Sequence, residues 1–207
     1  MNIIYEQILV SLGYAVKYIP VTLMITFIPL IFCVILGVII ALLRIFRIII
    51  ISDILDVLIG ILKGIPTVLF LVTISLIFSI KFDETAGALN LSVRAKDIDT
   101  IYLAIFIMTV THIASISESF RGAFISVPKG QYEAGYSVGL TGYQTFMRII
   151  FPQAFCVLIP SLTNNTIGLL KGSSLVYMLG VMDILNASLK PANATYCFLE
   201  AYIAAAI

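Results

Sequence analysis

The sequence predicts an all-α integral membrane protein of about five spans, and three observations carry that prediction. Hydrophobic residues make up 61% of the 207 and charged residues only 11%, with a mean hydropathy of +1.13. A soluble domain carries about 25% charged residues, so this chain has too little polar surface to face water. The apolar residues also come in long runs, as a hydrocarbon core that takes about 20 residues of helix to cross requires. Charges gather mostly between those runs or at their ends.

Residues 1–17 hold Glu6 and Lys17 and precede an apolar run too long for a cleavable signal. The first span is therefore expected to act as its own insertion signal. It covers 18–43, is free of charge, and is closed by Arg44 and Arg47. Pro20 and Pro29 fall inside it, which is tolerable if neighbouring helices or the Thr22 and Thr26 hydroxyls compensate. From Asp53 to Lys63 charges interrupt the apolar residues, the pattern of an interfacial or tightly packed helix. Span two covers 64–80, with Pro66 near its start, where proline is tolerated. The polar stretch 81–99 reads as a water-exposed loop, and span three covers 100–117. Residues 118–148, with Arg121, Pro128, Lys129, Glu133 and several glycines, form a long loop. Span four covers 149–170, with Pro152 and Pro160. Residues 172–186 are short and end near Asp183, so they read as a re-entrant or surface helix. The run 194–207 holds Glu200 and looks like a fifth span cut short. All of it is expected to form one domain, 1–207.

The net charge of +1 and the absence of a basic run argue against nucleic acid as a partner. Cys33, Cys156 and Cys197 lie in apolar stretches with no CxxC, and read as small buried hydrophobes. Arg44, Arg47, Lys63, Arg121, Lys129 and Arg148 fall on one side of the predicted membrane, against Lys17, Lys81, Arg94, Lys96 and Lys190 on the other. That small bias favours cytoplasmic 44–63 and 118–148 loops.

Residues 127–154 read VPKGQYEAGYSVGLTGYQTFMRIIFPQA. This resembles the hallmark of ABC importer permeases, a Glu-Ala-Ala triplet, then a glycine, then Ile-x-Leu-Pro about ten residues on. The matching residues are Glu133, Ala134, Gly139, Ile149 and Pro152, while Gly135 replaces the second alanine and Phe151 the leucine. Other segments resemble the polar amino acid branch of that family (histidine, glutamine and arginine type): Lys63-Gly64-Ile65-Pro66, Glu118-Ser119-Phe120-Arg121-Gly122, Pro128-Lys129-Gly130-Gln131, Pro160 through Asn164, and Leu170-Lys171-Gly172-Ser173-Ser174-Leu175. They run in order from 63 to 175.

The residues support the same role directly. The stretch 129–143 can form a short helix ending around Gly139 and Gly142, a compact lever between two spans. Lys129, Gln131, Glu133, Ala134 and Gly139 are its candidate ATPase-coupling residues. No GxxxxGK[ST] phosphate loop is present, so ATP hydrolysis is expected on another chain. The resemblance implies ABC ATPase subunits carrying ATP and magnesium, a second permease chain (identical or homologous), an extracytoplasmic amino acid-binding protein, and no cofactor bound by this chain. It implies a multi-pass protein of the bacterial inner membrane. Parity then places the N-terminus outside, because three crossings precede the cytoplasmic coupling loop.

Polar groups within spans are costly and default to functional hypotheses. Thr111, Ser115 and Glu118 share one helical face, with His112 beside it, and Asn164 and Lys171 share another. Lys171 with Ser173 and Ser174 is expected to attract a substrate carboxylate, and Glu118 a substrate ammonium or cationic side chain. Plainer readings stay open: Lys171 snorkels to headgroups, Glu118 pairs with Arg121 at i+3, and Asn164 or Asn165 joins helices. An intramembrane enzyme would need a catalytic set, and none stands in the spans. A channel or scaffold subunit fits the composition but leaves the 127–154 pattern unexplained.

Overall fold

The computed structural model describes residues 4–48 and 50–207. Residues 1–3 and Ile49, which the expected domain 1–207 takes in, lie outside the described residues. Of the described residues 86% are helical, and none of them forms a strand. Helices α1 (Tyr5–Lys17), α2 (Ile19–Ile45), α3 (Ile51–Gly64), α4 (Thr67–Ala88) and α5 (Thr100–Ser126) are followed by two short ones, α6 (Lys129–Ser137) and α7 (Gly142–Thr145). A π-helical turn, Phe146–Ile150, leads into α8 (Phe151–Gly172). A 3-10 segment, Ser173–Leu179, then α9 (Ile184–Thr195) and α10 (Phe198–Ala206) complete the chain.

Among the described residues, three segments are long and apolar enough to cross a membrane: Ile19–Ile45, Thr100–Ser126 and Gly142–Leu179. The pair α3 and α4 passes the same test together but bends by 104° at its break. The bend falls at Ile65-Pro66, where proline removes a donor and the residue before it is pushed out of the helical region. The 194–207 segment holds α10, which has 9 residues, about half of what a crossing takes.

Several boundaries differ from the sequence expectation, each for a local reason. α4 does not stop at Lys81 but runs to Ala88, carrying a Lys81–Glu84 ion pair at 2.6 Å across one turn. Charge marks where a chain leaves hydrocarbon, while lysine and glutamate remain good helix formers. The 129–143 segment is helical in two pieces, because Gly139 takes φ +78° and ends α6. The Leu140 amide donates to the Gly135 carbonyl and the Gly139 amide to that of Tyr136, closing a Schellman turn. Thr141 then starts α7 with a capping box to Gln144. The threonines of span one do not act as expected of Pro29's neighbours: Thr26 donates to the Thr22 carbonyl, and the Thr22 hydroxyl accepts from the Ile184 amide.

By packing, the chain divides into two compact units. One comprises Met1–Pro29, Ile65–Thr109 and Leu169–Ile207. Within it α1 lies against α9 and α10, and α4 against the 3-10 segments Ala95–Asp97 and Ser173–Leu179. Ile25, Leu71, Met108, Leu169 and Val176 are fully buried there. Glu200, 5% exposed, accepts from the Ile4 amide at the N-terminus of α1 at 3.2 Å, where an acidic group meets unpaired helix donors.

The other unit comprises Leu30–Gly64 and Val110–Gly168. Here Gly37 of α2 admits α5 closely: a Cβ on it would lie 3.1 Å from Ile116 Cγ2 and 3.3 Å from the Ser117 amide nitrogen. A run of rings ties α5 to α8 through the π turn, Phe120–Phe124–Phe146–Phe151–Phe155, with centroid separations of 5.5–6.5 Å. Those spacings lie in the favourable range for aromatic pairs. Pro152, two residues past the end of the π turn, has no amide hydrogen for the Arg148 carbonyl.

Candidate functional site

The candidate coupling region, 118–148, lies wholly in the second unit. Pro128, at φ −59°, sets the entry to α6, and the glycine-ended turn stops it. Lys129, Glu133, Ala134 and Gly139 are exposed, Gln131 is half-buried, and Gly135 faces inward. The Gln153 side chain donates to Gln131 Oε1 at 3.1 Å and to the Ile149 carbonyl, tying α6 to the start of α8. Burial pushes the Tyr132 phenol above its ordinary range, with the Tyr136 phenol nearby adding to the shift. Tyr136, Val138 and Tyr143 are 54%, 75% and 72% exposed in this otherwise polar loop. A polar loop presenting apolar side chains from a fixed scaffold is suited to receive another protein.

The expected substrate-facing residues divide between the two units. In the second unit Glu118 accepts from Arg44 Nη1 at 2.6 Å and from Arg121 Nη2 at 3.1 Å. Arg44, whose side chain is only 7% exposed, also pairs with Asp56 of α3. Ser119 donates to the Ser115 carbonyl and accepts from the Ser161 hydroxyl at 2.7 Å and the Asn165 amide at 2.9 Å. A cleft of about 340 Å³ is lined by Glu118, Ser119, Gly122, Ala123, Val157 and Ser161. Ser115 and Thr111 are half-buried outside that lining, Thr111 lying 3.0 Å from His112 Nδ1, and Asn164 is exposed. It is Asn165, not Asn164, that joins α8 to α5.

In the first unit Lys171, Ser173 and Ser174 line one cleft of about 410 Å³ with Thr22, Asp183 and Ile184. Lys171 is exposed. Ser173 is buried and donates to the Leu170 carbonyl. Ser174 donates to Asp183 Oδ2 at 2.6 Å, and Asp183 caps α9 by accepting from the Asn186 amide at 3.0 Å. The Asn186 side chain completes the group by donating to both Ser174 and Asp183.

Arg44, Asp56, Asp183 and Asn186 were not among the sequence candidates. For Asp183 the signal was present: an Asp just before a helix of small and apolar residues is an N-cap signature. For Arg44 the sequence shows only a charge closing an apolar run, and its partners stand 12 and 74 positions away.

A family model described as a binding-protein-dependent transport system inner membrane component matches residues 33–207. The L-cystine transport system permease protein TcyL of Bacillus subtilis (strain 168) is 34% identical over 190 residues, 92% of this chain and 77% of that one. The Vibrio harveyi protein named "Probable amino-acid ABC transporter permease protein PatM" is 31% identical over 207 residues, 100% of this chain and 88% of that one. The crystal structure of an amino acid ABC transporter with histidines shares the fold, with a TM-score of 0.78 at 23% identity over 100% of this chain and 90% of that one.

Proposed function

This chain belongs to the family of binding-protein-dependent transport system inner membrane components, and we propose that it forms, with a second permease chain, the path by which an ATP-driven importer moves a polar amino acid across the inner membrane. It is a membrane subunit of a transporter and not an enzyme, and ATP hydrolysis belongs to a separate chain.

The observation that carries the reading is α6, a short exposed helix with a proline entry, a left-handed glycine stop and a side-chain tie to α8. ABC ATPase subunits, holding ATP and magnesium, dock on its outer face. Their closure on ATP displaces α6, and the π turn and ring run pass that displacement to α5 and α8, opening the path alternately to the two sides. An extracytoplasmic binding protein delivers the substrate. The 118–148 loop faces the cytoplasm, so the N-terminus lies outside. The substrate class rests on the names of the relatives, which are permeases for cystine or amino acids. Lys171, beside the Ser173–Ser174 cleft, is the group we assign to a substrate carboxylate. For Glu118 the two guanidiniums favour the pairing reading over contact with a substrate ammonium.

Purification of the chain in mild detergent, followed by mass spectrometry of what accompanies it, tests the central claim. A stoichiometric partner with a phosphate-loop ATPase motif is the expected result. A folded chain that brings none down returns it to the channel or scaffold class. For the substrate contacts, Lys171→Met is expected to lower uptake of a radiolabelled amino-acid pool by about tenfold in reconstituted vesicles. Glu118→Gln is expected to leave apparent affinity unchanged, and a large loss there would revive the ammonium role.

A further inference from the structure

Gly135 stands where the resembled triplet has its second alanine, and the structure shows what occupies the difference. It is the buried residue of α6. A Cβ placed on it would lie 2.6 Å from Cγ2, 2.7 Å from Oγ1 and 3.1 Å from Cβ of Thr145. Thr145 ends α7 and is fully buried. Among the described residues, its hydroxyl oxygen is a buried side-chain polar atom with no hydrogen-bond partner. A glycine at a helix-favouring position and a buried unpaired hydroxyl are thus two sides of one contact, with Thr145 resting on the bare Cα of Gly135.

The contact is stiff. A β-branched side chain in a helix has restricted χ1, so Thr145 cannot freely swing aside. Its backbone is held ahead by the Thr141–Gln144 capping box and behind by Phe146, whose ring meets those of Phe124 and Phe151. The Gln131–Gln153 bond, which also ties α6 to α8, joins two long flexible amides.

We propose that Thr145 is a positioning residue for energy coupling, setting the height and tilt of α6 on the π turn by seating on Gly135. The proposal rests on the coupling role given to α6 above. Alanine at 135 opposite threonine must lift α6 off its seat, and a smaller residue at 145 empties the seat. The two changes together restore the fit.

The test uses the whole transporter, with its ATPase and binding-protein chains, in vesicles. The readout is uptake of a radiolabelled amino-acid pool per ATP hydrolysed, with the co-purifying ATPase measured alongside. Gly135→Ala is expected to lower that ratio by about tenfold while the ATPase stays bound. The double variant Gly135→Ala with Thr145→Ala should return to within about threefold of the parent, because neighbouring sites couple. Thr145→Val should keep coupling, since it preserves the shape and discards only the unpaired hydroxyl. Parental coupling in Gly135→Ala, or a double variant no better than Gly135→Ala, overturns the proposal. If Gly135→Ala does not accumulate, Thr145→Ala decides: reduced coupling supports the seat and parental coupling overturns it. Glu133→Arg serves as the control for α6 itself. If it uncouples while Gly135→Ala does not, only the seat fails; if neither does, the coupling role fails and the seat with it.

Discussion

Glu118 and Asp183 are carboxylates held within protein in a chain of few charges, and they are satisfied by opposite means. Glu118 is met by two full positive charges, Arg44 from α2 and Arg121 from its own helix, and Arg44 is shared with Asp56 of α3. Asp183 is 1% exposed and is met by neutral donors, the Ser174 hydroxyl and the Asn186 amides, at the start of a helix whose unpaired amides favour a negative group. The first arrangement spans 74 positions of sequence, and the second closes within 9. Balancing charge with charge makes the buried Arg44 the costliest member to remove, because two carboxylates lose a partner at once. A capping network spreads the task over several weaker bonds, which a neutral isostere can partly replace.

The sharpest way to break the contrast is Arg44→Ala. It strips Glu118 of its closer guanidinium and frees Asp56, and a loss of about 3 kcal/mol is expected in thermal unfolding in detergent. Asp183→Ala removes the cap of α9 and orphans the Ser174 hydroxyl, with an expected loss of about 1–2 kcal/mol by the same measurement. Asp183→Asn tests whether charge matters there at all. An amide oxygen can still cap the helix, so a loss below about 1 kcal/mol is expected, whereas Glu118→Gln should lose about twice as much by facing two guanidiniums with a neutral group. Equal losses in those two variants would erase the distinction. The smallest effect belongs to Asp56→Asn: its side chain is 53% exposed, and such pairs contribute about 0–1 kcal/mol, diminishing with salt.

Much of the fold could be read from local pattern. The apolar runs became α2, α5 and α8, and the 127–154 segment placed an exposed helix with a glycine stop between two long ones. The expected single helix 129–143 became two because one left-handed residue, Gly139, and one capping box, Thr141–Gln144, outweighed the helix formers around them. The charge of Lys81 predicts a helix end because it marks the membrane boundary, and the helix continues past it. The candidate site was less legible. Ser173 and Ser174 did gather with Lys171 around one cleft, since they adjoin in sequence. Glu118 is a candidate by sequence and Arg44 only closes an apolar run, and only folding sets one against the other.

The sequence by itself determined the class of protein, the helical periods, the caps and the short helix between two long ones, because these depend on hydrophobicity and on bonds spanning a few residues. The tertiary structure decided which charges neutralise one another, that Thr145 packs against the bare Cα of Gly135, and that Asp183 rather than solvent receives the Ser174 hydroxyl. Those outcomes depend on distances between segments remote in the chain, and no local pattern encodes such distances.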